Sequence, residues 1–141
     1  MRGHQAALAE AGVLPEVDLV VRSNFRVDGG FEAARRLLGL PDPPTAVFAF
    51  NDNMAIGVLQ AARARGLRIP EDLSVVGFDD TTEAVIAAPA LTTVRQPLAE
   101  MGRMAVALLL RLLENRRLEP LRVQLATRLV VRESTAPPAA G

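Results

Sequence analysis

The sequence predicts an α/β fold with a doubly wound, mostly parallel sheet. Short apolar runs alternate with helical patterns of about 10 to 15 residues, which is the order expected of βαβ units. The runs are apolar almost throughout, as in strands that helices cover on both faces of a sheet. Polar residues follow several runs directly, and right-handed crossovers bring such strand ends to one edge, where open α/β sheets bind ligands.

The first half of the chain provides two helices and two strands. Gly12 ends the first helical pattern, and Asp28 can cap the second, whose apolar residues recur on one side. Pro41, Pro43 and Pro44 break the chain before the second strand. The predicted elements, in order, are helix 4–12, strand 17–21, helix 28–40 and strand 45–50.

The second half continues the alternation. Gly66 ends one helix and Pro89 ends a shorter one, whereas the longest helix carries a leucine-rich stripe along one side. The predicted elements are helix 53–65, strand 73–78, a short helix that ends at Ala88, strand 91–94, helix 98–117 and a closing extended segment, 121–134.

Composition excludes several classes of protein. The 141 residues carry a formal net charge of +0, so no overall field attracts nucleic acid or an anionic membrane. Cys is absent and His occurs once, which excludes a disulfide framework and argues against a zinc site. No apolar run reaches the roughly 18 residues of a membrane span, and the N-terminus lacks the core of a signal peptide. We therefore expect a cytoplasmic chain with no membrane partner and a disordered tail at 136–141.

Polar side chains at the predicted strand ends indicate a binding rim. Asn51 ends one strand, and its amide offers both donors and an acceptor to a hydroxyl-bearing ligand. Asp79 ends the next strand along the chain. Phe25 follows an earlier run and fits either the core or a flat wall against which a ligand ring packs.

Helix capping is the competing explanation for the other polar residues of this rim. Asp52, Asn53 and Asp80 each lie at or just before the start of a predicted helix, where a side-chain oxygen can accept a bond from an unpaired backbone N–H. We expect them to be caps or to support the ligand contacts from behind, and one role does not exclude the other.

The same residues favour binding over catalysis. The sequence has no GxSxG, GxxxxGK[ST] or GxGxxG motif. Asp52, Asp79 and Asp80 could hold Mg²⁺, as in receiver domains with this kind of sheet, but those sites also need a Lys, and all 16 basic residues are Arg. We expect no catalytic residue, no metal and no cofactor. An enzyme would require a nucleophile or a metal that the sequence does not show.

Three stretches together resemble the LacI/GalR family of bacterial transcriptional repressors: TAVFAFNDNMAIGVLQAARARGLRIPEDLSVVGFDDT, PALTTVRQPLAEMGRMAVALLL and LATRLVVRESTAPP. Their order and spacing match over residues 2–135. The resemblance implies one lobe of the type I periplasmic-binding-protein kind, and two such lobes clamp a small effector in the family. The first strand of the lobe is expected to be absent from this chain, which leaves the sheet incomplete.

The resemblance also implies a division of the chain. Residues 1–96 correspond to the C-terminal lobe, and residues 97–125 correspond to a crossover segment that belongs to the N-terminal lobe in the family. Residues 126–135 correspond to a final strand that returns to the C-terminal lobe, before the tail at 136–141. Helix 98–117 would then expose its leucines, so we expect either a homodimer or other self-association, or a chain that is a fragment of a longer gene product.

Five positions match effector contacts of the family. Arg2 resembles an arginine that makes paired hydrogen bonds, and Phe25 resembles the aromatic residue that stacks on the effector ring. Asn51 resembles the strand-end residue that meets effector hydroxyls. Asp79 resembles the acid that accepts hydrogen bonds from the ligand, and Gln96 resembles the crossover residue beside the pocket.

The resemblance implies that the chain is the effector-sensing part of a repressor, with a sugar-like effector. A nucleoside or nucleobase is the alternative ligand, because Phe25 could stack on a base equally well. A solute-binding protein of a sugar transport system is the alternative function. Operator DNA would be contacted only through a helix-turn-helix that is absent from this chain.

Overall fold

The computed structural model describes residues 2–14, 16–114 and 122–138, with the backbone alone for Arg2. The helices are α1 (Arg2–Glu10), α2 (Val27–Leu37), α3 (Asp52–Ala64), α4 (Thr82–Ile86) and α5 (Leu98–Leu113). The strands are β1 (Ala46–Phe48), β2 (Ser74–Asp79), β3 (Thr92–Arg95) and β4 (Arg128–Val130).

The four strands form one sheet in the order β1-β2-β3-β4. β1, β2 and β3 run parallel, and β4 pairs antiparallel with β3. Phe48 lies opposite Val76, and Asp79 lies opposite Arg95, so the carboxyl ends of the three parallel strands meet at one edge. The predicted α/β fold with a mostly parallel, incomplete sheet is confirmed. In the described part of the chain, β1 has a strand on one side only.

Helices α2 and α3 cover one face of the sheet and provide much of the core. Val47, Ala49 and Val75 are buried in one cluster with apolar residues of both helices. The helices cross closely at Gly57, where an added Cβ atom would overlap the backbone of Val27 and its neighbours on α2. The absence of a side chain at this position therefore allows the two helix backbones to touch.

The strand predicted at 17–21 is wrong. Val17–Leu19 forms a short 3-10 turn, and both end residues are exposed. A strand needs a neighbour to pair its backbone N–H and C=O groups, and no strand in the described residues lies beside this segment. The apolar run could not reveal this, because a local pattern does not specify a pairing partner.

The closing segment is a strand only in part. Arg128–Val130 pairs with β3, and Ser134 is buried farther along. The Ser134 hydroxyl donates to the carbonyl of Val75 at 2.6 Å and accepts from the backbone nitrogen of Thr92 at 2.8 Å. Ala136, where the predicted tail begins, also bonds to the Ser74 side chain through its backbone nitrogen at 3.1 Å. Residues 139–141 of the predicted tail lie outside the described residues.

Helix α5 contrasts with the rest of the fold because none of its residues is buried. It follows β3 after Gln96 and Pro97 and carries several exposed leucines. The predicted helix 98–117 is helical to Leu113, and residues 115–117 lie outside the described residues. No helix in the described ranges is long and apolar enough to cross a membrane.

Candidate functional site

The carboxyl edge of the sheet brings together four of the five predicted effector contacts. Nε2 of Gln96 donates to Oδ1 of Asp79 at 2.6 Å. Nδ2 of Asn51 donates to the carbonyl of Phe25 at 2.9 Å. Continuing the register of β1 and β2 places Asn51 level with Asp79, on strands that lie about 4.8 Å apart in a sheet. Two hydrogen-bonded pairs, Asn51 with Phe25 and Gln96 with Asp79, therefore lie side by side at this edge.

Asn51 is the N-cap of α3, a role that the sequence predicts for Asp52 or Asn53. Its Oδ1 accepts from the backbone nitrogen of Met54 at 2.8 Å, and its backbone is extended, as an N-cap requires. Asn51 takes the cap because it is the last extended residue before the helix. One N–H and one lone pair of its amide remain available to a ligand.

Asp52 is fully buried and ties three elements together instead of capping a helix. Its Oδ1 accepts from the Thr93 hydroxyl at 2.6 Å, and its Oδ2 accepts from the backbone nitrogen of Thr81 at 2.7 Å. The carboxylate also fills the space above Gly77, where a Cβ atom would overlap it. Asp52 thereby fixes the start of α3 against β3 and against the loop that follows Asp79.

Asp80 pairs with two arginines and does not cap α4. Its carboxylate accepts from Nε of Arg95 and from Nη2 of Arg132, and its side chain is 4% exposed. The N-cap position of α4 belongs to Thr81, which makes no capping bond through its side chain. Burial raises the pKa of Asp80, but the hydrogen bonds and charges of Arg132 and Arg95 outweigh burial and hold that pKa below its ordinary value.

The two arginines of this cluster lie on the chain segments that leave the sheet and return to it. Arg95 ends β3 just before Gln96 and α5, and Arg132 follows β4. Arg132 also donates to the carbonyl of Leu91 at 2.8 Å. Asp80 therefore holds the outgoing and the returning segments at one point, next to Asp79.

Asp79 presents an unpaired carboxylate oxygen at the edge of the sheet. Gln96 occupies Oδ1, and Oδ2 has no hydrogen-bond partner among the described residues. Both Asp79 and Asp80 have a positive φ, at 111° and 61°. Such a backbone costs of order 1–3 kcal/mol for a residue other than Gly and persists where surrounding contacts hold it, as the Asp52 and arginine bonds do here.

Phe25 has an exposed ring on a strained backbone. Its φ is 62°, in the left-handed region, and its side chain is 60% exposed. The Asn51 bond holds its carbonyl, and the Asn24 side chain accepts from the nitrogen of Arg26 at 3.0 Å. Of the two sequence explanations, burial in the core is therefore excluded for this ring, and the flat wall stays a prediction.

Two of the predicted residues are not placed at this edge by any contact. The Arg2 side chain lies outside the described residues. Asn53 is exposed and lines a shallow depression of about 790 Å³ between α2 and α3, together with Arg26, Phe31 and Gln60. The four residues at the carboxyl edge, Phe25, Asn51, Asp79 and Gln96, form the strand-end cluster. None of them lines that depression, so it is separate from the cluster.

The three acids considered for Mg²⁺ do not converge on one point. Asp52 bonds to threonines, Asp79 to Gln96, and Asp80 to arginines. In the described ranges, no group of three His, Asp or Glu side chains could hold a metal ion.

Sequence reasoning missed the groups that organise the site. Thr93 and Arg132 lie far along the chain from the carboxylates they bind, 41 residues from Asp52 and 52 residues from Asp80. No local motif links such positions. Phe50 was the one omission with a visible signal, because a large aromatic residue directly before Asn51 occupies a strand end of the rim.

Comparisons with known proteins identify relatives of the fold. The profile of the family described as "Periplasmic binding protein-like domain" matches residues 1–135. The HTH-type transcriptional regulator DegA of Bacillus subtilis is 43% identical over 137 residues, which cover 97% of this chain and 40% of that protein. The chain thus spans about 40% of the length of the curated relatives it matches most fully.

Solved structures show the same relationship. The transcriptional regulator CelR in complex with cellobiose superposes with a TM-score of 0.89 at 43% identity, over 94% of this chain and 41% of that one. The dimeric Lac repressor superposes with a TM-score of 0.88 at 30% identity, over 98% of this chain and 50% of that one.

The fold is that of one incomplete lobe of the periplasmic-binding-protein type. The chain belongs to the periplasmic-binding-protein-like family, and the relatives named above are transcriptional regulators, among them the Lac repressor.

Proposed function

We propose that this chain is the effector-sensing portion of a LacI-type transcriptional repressor and that its effector is a sugar-like molecule. One observation carries the proposal: Asp79 offers a free carboxylate oxygen at the carboxyl edge of the sheet, beside Gln96, where the chain leaves for α5. A ligand hydroxyl can donate a hydrogen bond to that oxygen. The Gln96 side chain, which bonds to the other oxygen, can change position when the ligand binds. The named relatives are regulators, which favours this function over that of a transport-linked solute-binding protein.

The proposal includes a division of labour along the chain. Residues 1–96 and 126–135 form the C-terminal lobe, and residues 97–125 belong to the partner lobe, which explains why α5 buries nothing here. The whole protein acts as a homodimer in the cytoplasm and contacts operator DNA through a helix-turn-helix outside this chain. Lobe closure on the effector shifts DNA affinity by a coupling free energy that is commonly about 1–3 kcal/mol.

Ligand titration of the complete gene product that contains this chain tests the proposal. Isothermal titration with cellobiose, glucose and adenosine is expected to show saturable binding of a sugar. Asp79→Ala should weaken that binding at least about 10-fold, since an acceptor for a ligand hydroxyl is lost.

The matched control is Asp42→Ala, which removes an exposed carboxylate from the loop before β1, at the opposite edge of the sheet. It should bind like the wild type. Binding that is equal in wild type, Asp79→Ala and Asp42→Ala would refute the assigned site. Tightest binding of adenosine would replace the sugar by a nucleoside.

A further inference from the structure

Aromatic residues are concentrated at one place in this molecule. The sequence has 5 Phe and no Trp or Tyr. The ring of Phe50 contacts both Phe25 and Phe48, with ring centroids 6.4 Å apart in each pair. Each of the three is about half exposed or more, at 60%, 47% and 49%. Most of the scarce aromatic surface of the chain is thus gathered beside the strand-end cluster.

Phe25 and Phe50 meet at a right angle. Their ring planes are inclined by 83°, an edge-to-face arrangement of the kind that aromatic pairs prefer. Phe50 directly precedes Asn51, which bonds to the Phe25 carbonyl, so the two rings are joined through the backbone as well. The result is a corner with two ring surfaces at the carboxyl edge of the sheet.

Burial in a core does not explain why the corner formed by Phe25 and Phe50 keeps its shape. Phe25 keeps a left-handed backbone although its ring stays largely exposed. Strain that is maintained around an exposed group points to a function for that group. The Asn51 amide is half used, because its oxygen caps α3 and one N–H holds Phe25. At this strand end, the ring of Phe50 therefore leaves more surface for a ligand than the Asn51 amide does.

We propose that Phe50 is a second aromatic wall of the effector site, at right angles to Phe25, and that it selects effectors with a ring whose face is apolar. The inference rests on the proposed function and adds a residue and a ligand class to it. A pyranose presents C–H groups on its faces and a base presents a π-surface, so both supply this chemistry. Acyclic polyols do not, and they should bind weakly.

Phe48 provides the matched control. It lies on the same strand segment, has nearly the same exposure as Phe50 and contacts that ring, but no contact joins it to Phe25. If both rings were exposed only because this face of β1 is covered elsewhere in the whole protein, replacing either one would have the same effect. If Phe50 is a ligand wall, replacing it should weaken ligand binding more than replacing Phe48 does.

The test measures dissociation constants and melting temperatures for Phe50→Ala, Phe50→Trp and Phe48→Ala in the complete gene product. The probes are cellobiose, glucose, adenosine and the acyclic polyol sorbitol. We expect Phe50→Ala to weaken the best ring-containing probe about 10-fold, Phe48→Ala to change it less than about 2-fold, and Phe50→Trp to retain binding. The ligand-free melting temperatures of the two Ala variants should fall to a similar extent.

Each other outcome has a distinct meaning. Equal weakening in Phe48→Ala and Phe50→Ala, or unchanged binding in Phe50→Ala, overturns the second wall and leaves the proposed function standing. Sorbitol binding as tightly as the ring-containing probes overturns the ligand class. A wild type that binds none of the probes overturns both this inference and the proposed function.

Discussion

Helices α3 and α5 have similar sequence patterns but opposite positions in the structure. Both contain several Ala, at least one Leu and one Met, and one Gly. α3 buries eight of its residues against α2 and the sheet, whereas α5 buries none. The comparison shows that a helical pattern of apolar residues defines a face and leaves its partner undetermined.

The physical difference lies in what covers each helix. The α3 backbone touches α2 at Gly57, and its first turn is fixed by the Asn51 cap and the buried Asp52 carboxylate. No residue of α5 is buried, and its Leu109 and Leu113 side chains are exposed. We therefore expect small substitutions in α3 to change the free energy of unfolding strongly, and those in α5 to change it hardly at all.

The largest effect is expected at the two helix glycines. Gly57→Ala should lower the free energy of unfolding by about 3 kcal/mol or more, because its Cβ atom meets backbone atoms of α2 that cannot move aside. Gly102→Ala adds the same methyl group to α5, where, beyond the neighbouring helix backbone, no atom of another described residue lies within 4 Å. It should leave the core unchanged and favour the helix by about 1 kcal/mol.

Urea denaturation followed by circular dichroism measures both variants. A loss of stability in Gly102→Ala that equals the loss in Gly57→Ala would show that α5 packs as closely as α3 does, and it would remove the contrast between the two helices.

A smaller effect is expected where Asp80 binds Arg95 and Arg132. Asp80→Asn should cost about 2 kcal/mol at neutral pH, because Arg95 and Arg132 lose a charged acceptor. The pKa of Asp80 is lowered in the folded protein, so its contribution is present above the unfolded pKa of about 3.9 and is lost as the pH falls through the folded value.

The difference in stability between wild type and Asp80→Asn should thus be constant above about pH 5 and shrink below about pH 4. Thermal unfolding at several pH values measures it. Glu32→Gln is the matched control, since it removes an exposed ion pair with Arg35 and should have little effect. A difference that grew on acidification would contradict the assigned ionised state of Asp80.

The smallest effect is expected on α5 itself. Leu109→Gln combined with Leu113→Gln should change the free energy of unfolding of this chain by less than about 0.5 kcal/mol, since both side chains are exposed. The same change should reduce self-association in sedimentation velocity, because it removes apolar surface. Arg103→Gln, on the same helix, should leave the assembly unchanged. Marked destabilisation by the leucine changes would show that the chain covers α5 itself.

Much of the architecture was predictable because its signals are local. Gly66 and Pro89 mark helix ends, and the continuous apolar run around Val75 identifies a strand that is covered on both faces. These signals are enough to predict the alternation of helices and strands, and with it the position of the carboxyl edge. The strand at 17–21 failed for the opposite reason. A strand is completed by hydrogen bonds to another segment, and no property of VDLVV states whether that segment is present.

The sequence by itself determined the α/β class, the order of the helices and strands, the family and the edge at which ligands are expected. Only the tertiary structure decided which polar groups bind one another: Asn51 caps, Asp52 is buried under β3, and Asp80 holds two arginines. The reason is physical. Backbone conformation responds to neighbours in the sequence, whereas the partner of a buried carboxylate is chosen by the need to pair its charge, and that partner lies dozens of residues away.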